Sequence, residues 1–363
     1  MRFRGRNVKA ARPARETLLI VGSFHPGVRN PRMNRLGRLV GALSALVLAS
    51  LVSASTGCGS SRSAYDDERN GASSGNGNGK NGNGSLGAND NVDSGEPAGG
   101  GGGCEKMDIV FVIDNSGSMG EEQENLATNF PKFVSVLDST TTSSGTPLDY
   151  RVAVTTTGKS YRVMLPFGFS DEEKGDDGAF RNNCGGSQRW LEKAEAATSF
   201  PCRAKVGTSG PSEEMPLECM KLALNDRIAD GTNAGFLRDD ALLAVVFLTD
   251  EDDCSFSATT LDEGFGDLCE DNASAEKPES YVTFLDDLKH DRGRWATAVI
   301  AGKTDCQSSF GNAAEAKRLG QFVTETGKNA VFSSICDGDL SKSLEQAIAK
   351  FGEACKSFPT NVK

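Results

Sequence analysis

Two stretches of this chain are apolar without alternation, and each runs straight into an aspartate. Met107-Asp-Ile-Val-Phe-Val-Ile precedes Asp114, and Leu242-Leu-Ala-Val-Val-Phe-Leu-Thr precedes Asp250. A strand with one wet face alternates apolar and polar residues, whereas a strand covered on both faces does not. Both runs are therefore expected to be central strands with helices above and below. The segments around them fit that expectation. Residues 121–137 place Leu126, Phe130, Phe133, Val134 and Leu137 at helical spacing behind acids that suit a helix start. Residues 212–228 open with Ser212 as a candidate cap and Glu213 and Glu214 in the first turn, then carry a stripe of Leu217, Met220 and Leu224.

Further strands are predicted at 150–157, 161–165, 295–301 and 330–334, and further helices at 279–290, 313–326 and 340–353. A short helix at 187–197 is expected inside an otherwise irregular stretch, 170–211. Strands alternating with helices imply an α/β fold, Rossmann-like, with a mainly parallel central sheet and helices on both faces. Ligands of such sheets sit beyond the carboxyl ends of the strands. That places Asp114 and Asp250 at the expected site.

Asp114, Ser116 and Ser118 alternate in a tight turn, Asp-Asn-Ser-Gly-Ser. One carboxylate and two hydroxyls converging in a small volume are hard oxygen donors, suited to a divalent cation such as Mg²⁺, with Mn²⁺ or Ca²⁺ as alternatives. The turn, its preceding strand and the second strand ending at Asp250 together resemble the von Willebrand factor type A (vWA) domain, with its metal-ion-dependent adhesion site (MIDAS). The resemblance covers most of 104–355. It implies that Asp114, Ser116, Ser118 and Asp250 hold the metal and that an acidic side chain of a protein partner completes its coordination. The family's second loop carries a threonine, and this chain departs there: Glu214 falls in the threonine's place, with Thr208 and Ser212 as other candidates. A glutamate among the ligands would weaken the pull on a partner's carboxylate. Phe247-Leu-Thr-Asp-Glu-Asp-Asp-Cys-Ser and Ser334-Ile-Cys336 also resemble cysteine-rich vWA lipoproteins of myxobacteria and relatives. The acids after Asp250 read either as a solvated loop or as a second cation site.

The beginning of the chain has a different character. Residues 1–57 carry ten Lys or Arg and one acid, although the whole chain has a net charge of -11. The rest is therefore strongly acidic, which opposes nucleic-acid binding. An apolar run at 39–52 follows Arg35 and Arg38 and ends in small residues before Cys58. It is shorter than the roughly 20 residues needed to span a bilayer. The pattern reads as a signal peptide. Ser55-Thr56-Gly57-Cys58 is similar to a bacterial lipobox, which implies lipidation at Cys58 and a lipid-anchored protein of the cell envelope; a secreted protein is the alternative. Met33 would open a signal peptide of ordinary length, so 1–32 are expected to be an over-extended start. Residues 58–103 are rich in Gly, Asn and Ser, too polar to pack. As a coil such a linker spans about 35–40 Å. The folded vWA domain is expected at 104–363.

Ten cysteines in an exported chain point to disulfide bonds. The expected pairs are Cys104 with Cys355, Cys254 with Cys269, Cys184 with Cys202, and Cys306 with Cys336, leaving Cys219 buried and free. No enzyme is expected. The histidines are His25, in the signal region, and His290, which reads as a surface residue near a helix end. The functional expectation is a tethered domain that binds a protein partner through its cation. The alternatives are a structural module of an envelope complex with a purely stabilising metal, or a metal-dependent hydrolase. Mass spectrometry of the native product should find no residue before Met33; a product that retains any overturns the assigned start.

Overall fold

The computed structural model describes residues 103–186, 188–262, 275–308 and 311–359. The chain divides into two units, Met1–Lys80 and Asn81–Lys363, and the described residues belong to the second. The signal peptide, Cys58, the linker up to residue 102 and Cys269 lie outside the described residues.

The first apolar run forms β1 (Lys106–Ile113) and the second forms β6 (Ala241–Leu248). They are parallel neighbours at the centre of a six-stranded sheet, with Ile113 level with Leu248. On the other side of β1 lies β2 (Asp149–Thr156), also parallel. β8 (Trp295–Ala301) and β11 (Ala330–Ser334) extend the sheet beyond β6 in the same direction. β5 (Trp190–Glu192) closes the other edge antiparallel to β2. This is the α/β, mainly parallel architecture that the vWA resemblance implies.

The two-sided burial of β1 is visible residue by residue. Ile109, Phe111 and Ile113 join one core with α1 (Gly120–Ser139), α2 (Lys193–Arg203) and α7 (Ser341–Lys356). Val110 and Val112 join the other, with α3 (Pro216–Leu224), α5 (Pro278–Lys289) and α6 (Lys317–Thr326). Phe111 meets Phe130, Phe133 and Phe200 edge-on. Aromatic clusters of this kind stabilise a core beyond the area they bury. Two small sheets complete the fold. One joins β3 (Tyr161–Met164), β4 (Ser170–Glu173) and β7 (Thr260–Asp262); the other joins β9 (Cys306–Ser308) and β10 (Gly311–Ala313). Among the described residues no helix is long and apolar enough to cross a membrane.

Three expected helices are corrected at their boundaries. Ser212 does not cap a helix: its hydroxyl lies 3.2 Å from the Tyr161 hydroxyl, and α3 starts only at Pro216. Residues 212–215 stay outside the helix because their backbone is bonded elsewhere, Met215 donating to Thr157 and Cys254 donating to Glu214. The helix then breaks at Asn225 before a single turn, α4 (Asp226–Ala229). The helix expected at 187–197 instead begins at Lys193, behind the edge strand β5, with Glu192 and Glu195 forming a reciprocal capping box. The helix expected from 313 begins at Lys317, because Gly311–Ala313 pairs with β9.

Disulfides join Cys104 to Cys355, Cys184 to Cys202 and Cys306 to Cys336, as expected, and Cys219 is free and buried. Cys254 is itself disulfide-bonded, and its expected partner lies outside the described residues.

At the amino end of the sheet, Asp108 is fully buried in β1. Arg238 donates to it from both its backbone nitrogen and Nε, each at 2.7 Å, and reaches Asp149 with its other arm. Burial pushes the Asp108 carboxyl up, and the Arg238 charge opposes that shift. Arg238→Ala would strand a carboxylate in the core, so it should cost about 3–5 kcal/mol of stability in denaturant melts. Asp149→Ala breaks the arm to a carboxylate that is 52% exposed, and should cost about 1 kcal/mol or less.

Candidate metal centre

The ladder between β1 and β6 continues one step past the strands, where Asp114 donates its backbone N–H to Leu248 at 2.9 Å. The first and third loops therefore leave the sheet side by side. Asp114 is fully buried there. One carboxylate oxygen accepts the backbone N–H of Ser116 at 2.7 Å, and the other accepts the hydroxyl of Thr249 at 2.7 Å. Thr249 also bonds the backbone of Glu251, so it fixes both loops at once. Ser116 and Ser118 turn their hydroxyls to within 3.2 Å of each other, and the Ser118 hydroxyl reaches the Asp250 carboxylate. Gln123 in α1 locks the turn from below, donating to the carbonyls of Asp114 and Gly207.

The second loop brings in Glu214, only 2% exposed. Thr157, just beyond β2, donates its hydroxyl to one carboxylate oxygen of Glu214. Glu214 and Asp114 are close enough to share a proton, yet the other Glu214 oxygen, Oε1, has no partner of normal hydrogen-bond geometry. Oδ1 of Asp250 is likewise buried without a partner. Buried oxygens of this kind are costly unless something satisfies them.

Glu122 is the residue that motif reading missed. It is 2% exposed, and its Oε2 is a third buried carboxylate oxygen without a partner. The spacing held the clue, since Glu122 lies four residues before Leu126 and eight before Phe130, on the buried face of α1. Glu121, its neighbour, points outward.

These carboxyls all move in one direction. Burial raises Asp114; burial and then the Asp114 charge push Glu214 up to about 9. Burial takes Asp250 to about 6, with the Asp114 charge adding to it. Burial, followed by the charges of Asp250, Glu121 and Asp114, takes Glu122 to about 7. A site that gathers acids without a nearby base is set up to receive positive charge. Among the described residues no three acid, histidine or cysteine side chains suffice to hold a metal by themselves. A ligand set here therefore needs the serine hydroxyls.

Of the other acids of the third loop, Glu251 is exposed, whereas Asp252 and Asp253 are taken up by the protein's own donors. Asp252 accepts the backbone N–H groups of Arg318 and Leu319 at the start of α6. Asp253, fully buried, accepts the Leu217 N–H at the start of α3 and pairs with Arg318 at 3.1 Å. They brace the loop against two helices, as helix N-termini favour. Thr208 is exposed, and no hydrogen bond of its hydroxyl is seen among the described residues; its loop joins the site through backbone bonds at Gly207 and Gly210. An open cleft of about 640 Å³ adjoins the cluster, bordered by Ser118, Asp250, Glu251 and Asp305.

No family model matches the chain, and no curated protein matches it. Solved structures similar to it include proximal thread matrix protein 1 of the mussel byssus, at 13% identity over 69% of this chain and 49% of that one, with a TM-score of 0.36. The same protein with a zinc-occupied MIDAS motif is similar at 15% identity over 68% and 46%, with a TM-score of 0.33. The pilus adhesin SpaC of Lactobacillus rhamnosus GG, in its open conformation, is similar at 11% identity over 70% and 31%, with a TM-score of 0.37. The chain thus spans less than half the length of each. The architecture rests on the strand order and the two cores described above.

Glu214→Gln removes one of the crowded buried acids and keeps an oxygen that can accept from Thr157. Without metal, it should raise stability by about 1 kcal/mol or more in thermal melts. A loss of stability would mean that Glu214 is satisfied by something other than a cation.

Proposed function

We propose that this chain is a membrane-tethered vWA-like domain of the bacterial cell envelope that binds a protein partner through a divalent cation, Mg²⁺ first among the candidates. The observation that carries the proposal is the pair of buried, unpartnered oxygens, Glu214 Oε1 and Asp250 Oδ1, facing the same small volume as Asp114. A cation would satisfy them, and its charge would favour the ionised form of every acid in the cluster. The residues present fit such an ion. Asp114, Ser116, Ser118, Asp250 and Glu214 would hold it, with Glu122 supporting from α1. The bound ion would supply a positive centre able to take a carboxylate from a partner. The cleft beside Ser118 and Asp250 gives that carboxylate a way in. Tethering rests on Cys58 and the linker, as read from the sequence.

We assign no catalytic role. His290 is exposed in the left-handed cap of α5, at the opposite end of the sheet from Asp114. Among the described residues no histidine stands beside the cluster to move protons.

Glu214 also favours a second reading. A buried glutamate in the ligand set neutralises the ion further, and so suits a metal that only holds the loops together. Two measurements separate the readings. Mg²⁺ should raise the thermal midpoint of the metal-free protein by several degrees, and Asp114→Ala should abolish the rise; no rise in the unmutated chain overturns the cation site. In capture from the native envelope, the partner should be lost in chelator and with Asp114→Ala. A partner that binds equally well in chelator supports the purely stabilising metal instead.

A further inference from the structure

Phe167 and Phe169 are the most exposed large apolar side chains among the described residues, at 98% and 68%. They form the tip of the β3–β4 hairpin, which Leu165 closes by donating its N–H to the Phe169 carbonyl at 2.8 Å. Phe167 has φ 65° and ψ 20°, in the left-handed region that a phenylalanine rarely adopts. The tip thus holds a large apolar ring in solvent at a conformational cost as well as a hydration cost.

The root of this hairpin touches all three loops of the candidate metal centre. Gly158, just before β3, lies against the first loop, where a Cβ added to it would meet Asn115 Oδ1 at 3.3 Å. The Tyr161 hydroxyl lies 3.2 Å from the Ser212 hydroxyl in the second loop. Lys159 donates to the carbonyls of Phe256 and Ala258, and Arg162 donates its N–H to the Thr259 carbonyl, all in the stretch that continues the third loop. Phe167 follows Tyr161 by six residues, at most about 20 Å at the usual strand rise. The finger therefore belongs to the metal pole. A specific interface takes about 800 Å² per partner, a patch about 30 Å across, which is wide enough for both features. It also needs more than one carboxylate on an ion, because a few aromatic side chains seated in pockets carry most of the binding energy.

Charge indicates what surrounds the pocket. The hairpin carries Asp171, Glu172 and Glu173 against Arg162 and Lys174, and Arg162 is already paired with Glu172. Glu121, in the first turn of α1, and Glu251, in the third loop, add exposed acids at the same pole. A basic rim complements this surface. An anionic membrane does not, and neither does a second copy of this acidic chain.

We propose that the Phe167–Phe169 tip is a second anchor for the protein that docks on the cation, entering an apolar pocket that Lys or Arg side chains surround on that partner. This rests on the cation-docking reading above.

The test places benzoylphenylalanine at position 167 of the full chain, in its native envelope with Mg²⁺ present. On illumination, position 167 should cross-link to another protein, through a peptide that combines apolar residues with Lys or Arg. The yield should fall at least tenfold in chelator. The same probe at Lys328, exposed before β11 at the opposite end of the sheet, should not reach that protein. The Phe167→Ser/Phe169→Ser chain should bind the same protein at least tenfold more weakly, while keeping the rise in thermal midpoint that Mg²⁺ gives. A chelator-sensitive partner that this double variant binds as well as the unmutated chain overturns the finger alone. A cross-link undiminished in chelator overturns the metal reading, and the proposal with it. Cross-links confined to lipid, to this chain itself or to peptides without a basic residue also overturn it.

Discussion

The parallel pairing of β1 with β6 sets everything else in this molecule. Two neighbouring strands with level ends deliver Asp114 and Asp250 to one place with no help from either loop. The same pairing explains why β6 is apolar throughout and β1 from Ile109 onward: the centre of a covered parallel sheet offers no wet face to a polar side chain. Side chains then alternate between two cores, and each core takes three helices. The site is a consequence of sheet geometry first and of loop chemistry second.

Loop chemistry decides what each acid does. Four acids of the first turn of α1 and the third loop, Glu122, Asp250, Asp252 and Asp253, fall into two groups. Asp252 and Asp253 face helix N-termini and Arg318, so their charge is compensated by the protein itself. Asp250 and Glu122 face Asp114, where the protein provides hydroxyls and other acids. The first group makes the loop rigid, and the second concentrates negative charge inside the rigid frame. Preorganising like charges in this way costs stability in the apo protein, and a cation would recover it.

The fold was legible because its strongest signal, unbroken apolar strands alternating with helical stripes, is local. The pair of aspartates was legible because the sheet places them by strand ends alone. Elements set by partners distant in sequence were not. Ser212 looks like a cap only until the backbone of 214 and 215 is seen bonded to residues 254 and 157. Trp190–Glu192 is too short to announce itself as a strand without β2 beside it. Glu122 carried a usable signal in its four-residue spacing from Leu126, but an acid in a first helical turn already has a sufficient explanation in the helix dipole. The acids at 252 and 253 resembled ligands because the helices that they cap begin about 35 residues before and 65 after them.

The bridge between Cys104 and Cys355 bears on how the domain would carry tension. Its described part begins at Gly103, and the candidate site lies at the far end of β1, so a pull between the two would run along that strand. Eight-residue ladders flank it on both sides. They would be loaded in shear, with many hydrogen bonds resisting together rather than opening one by one. The bridge gives the same force a second route, covalently into α7, whose other end returns to the carboxyl pole at Ser341. β1 therefore resembles a tendon gripped along its whole length, with its amino end spliced to the last helix.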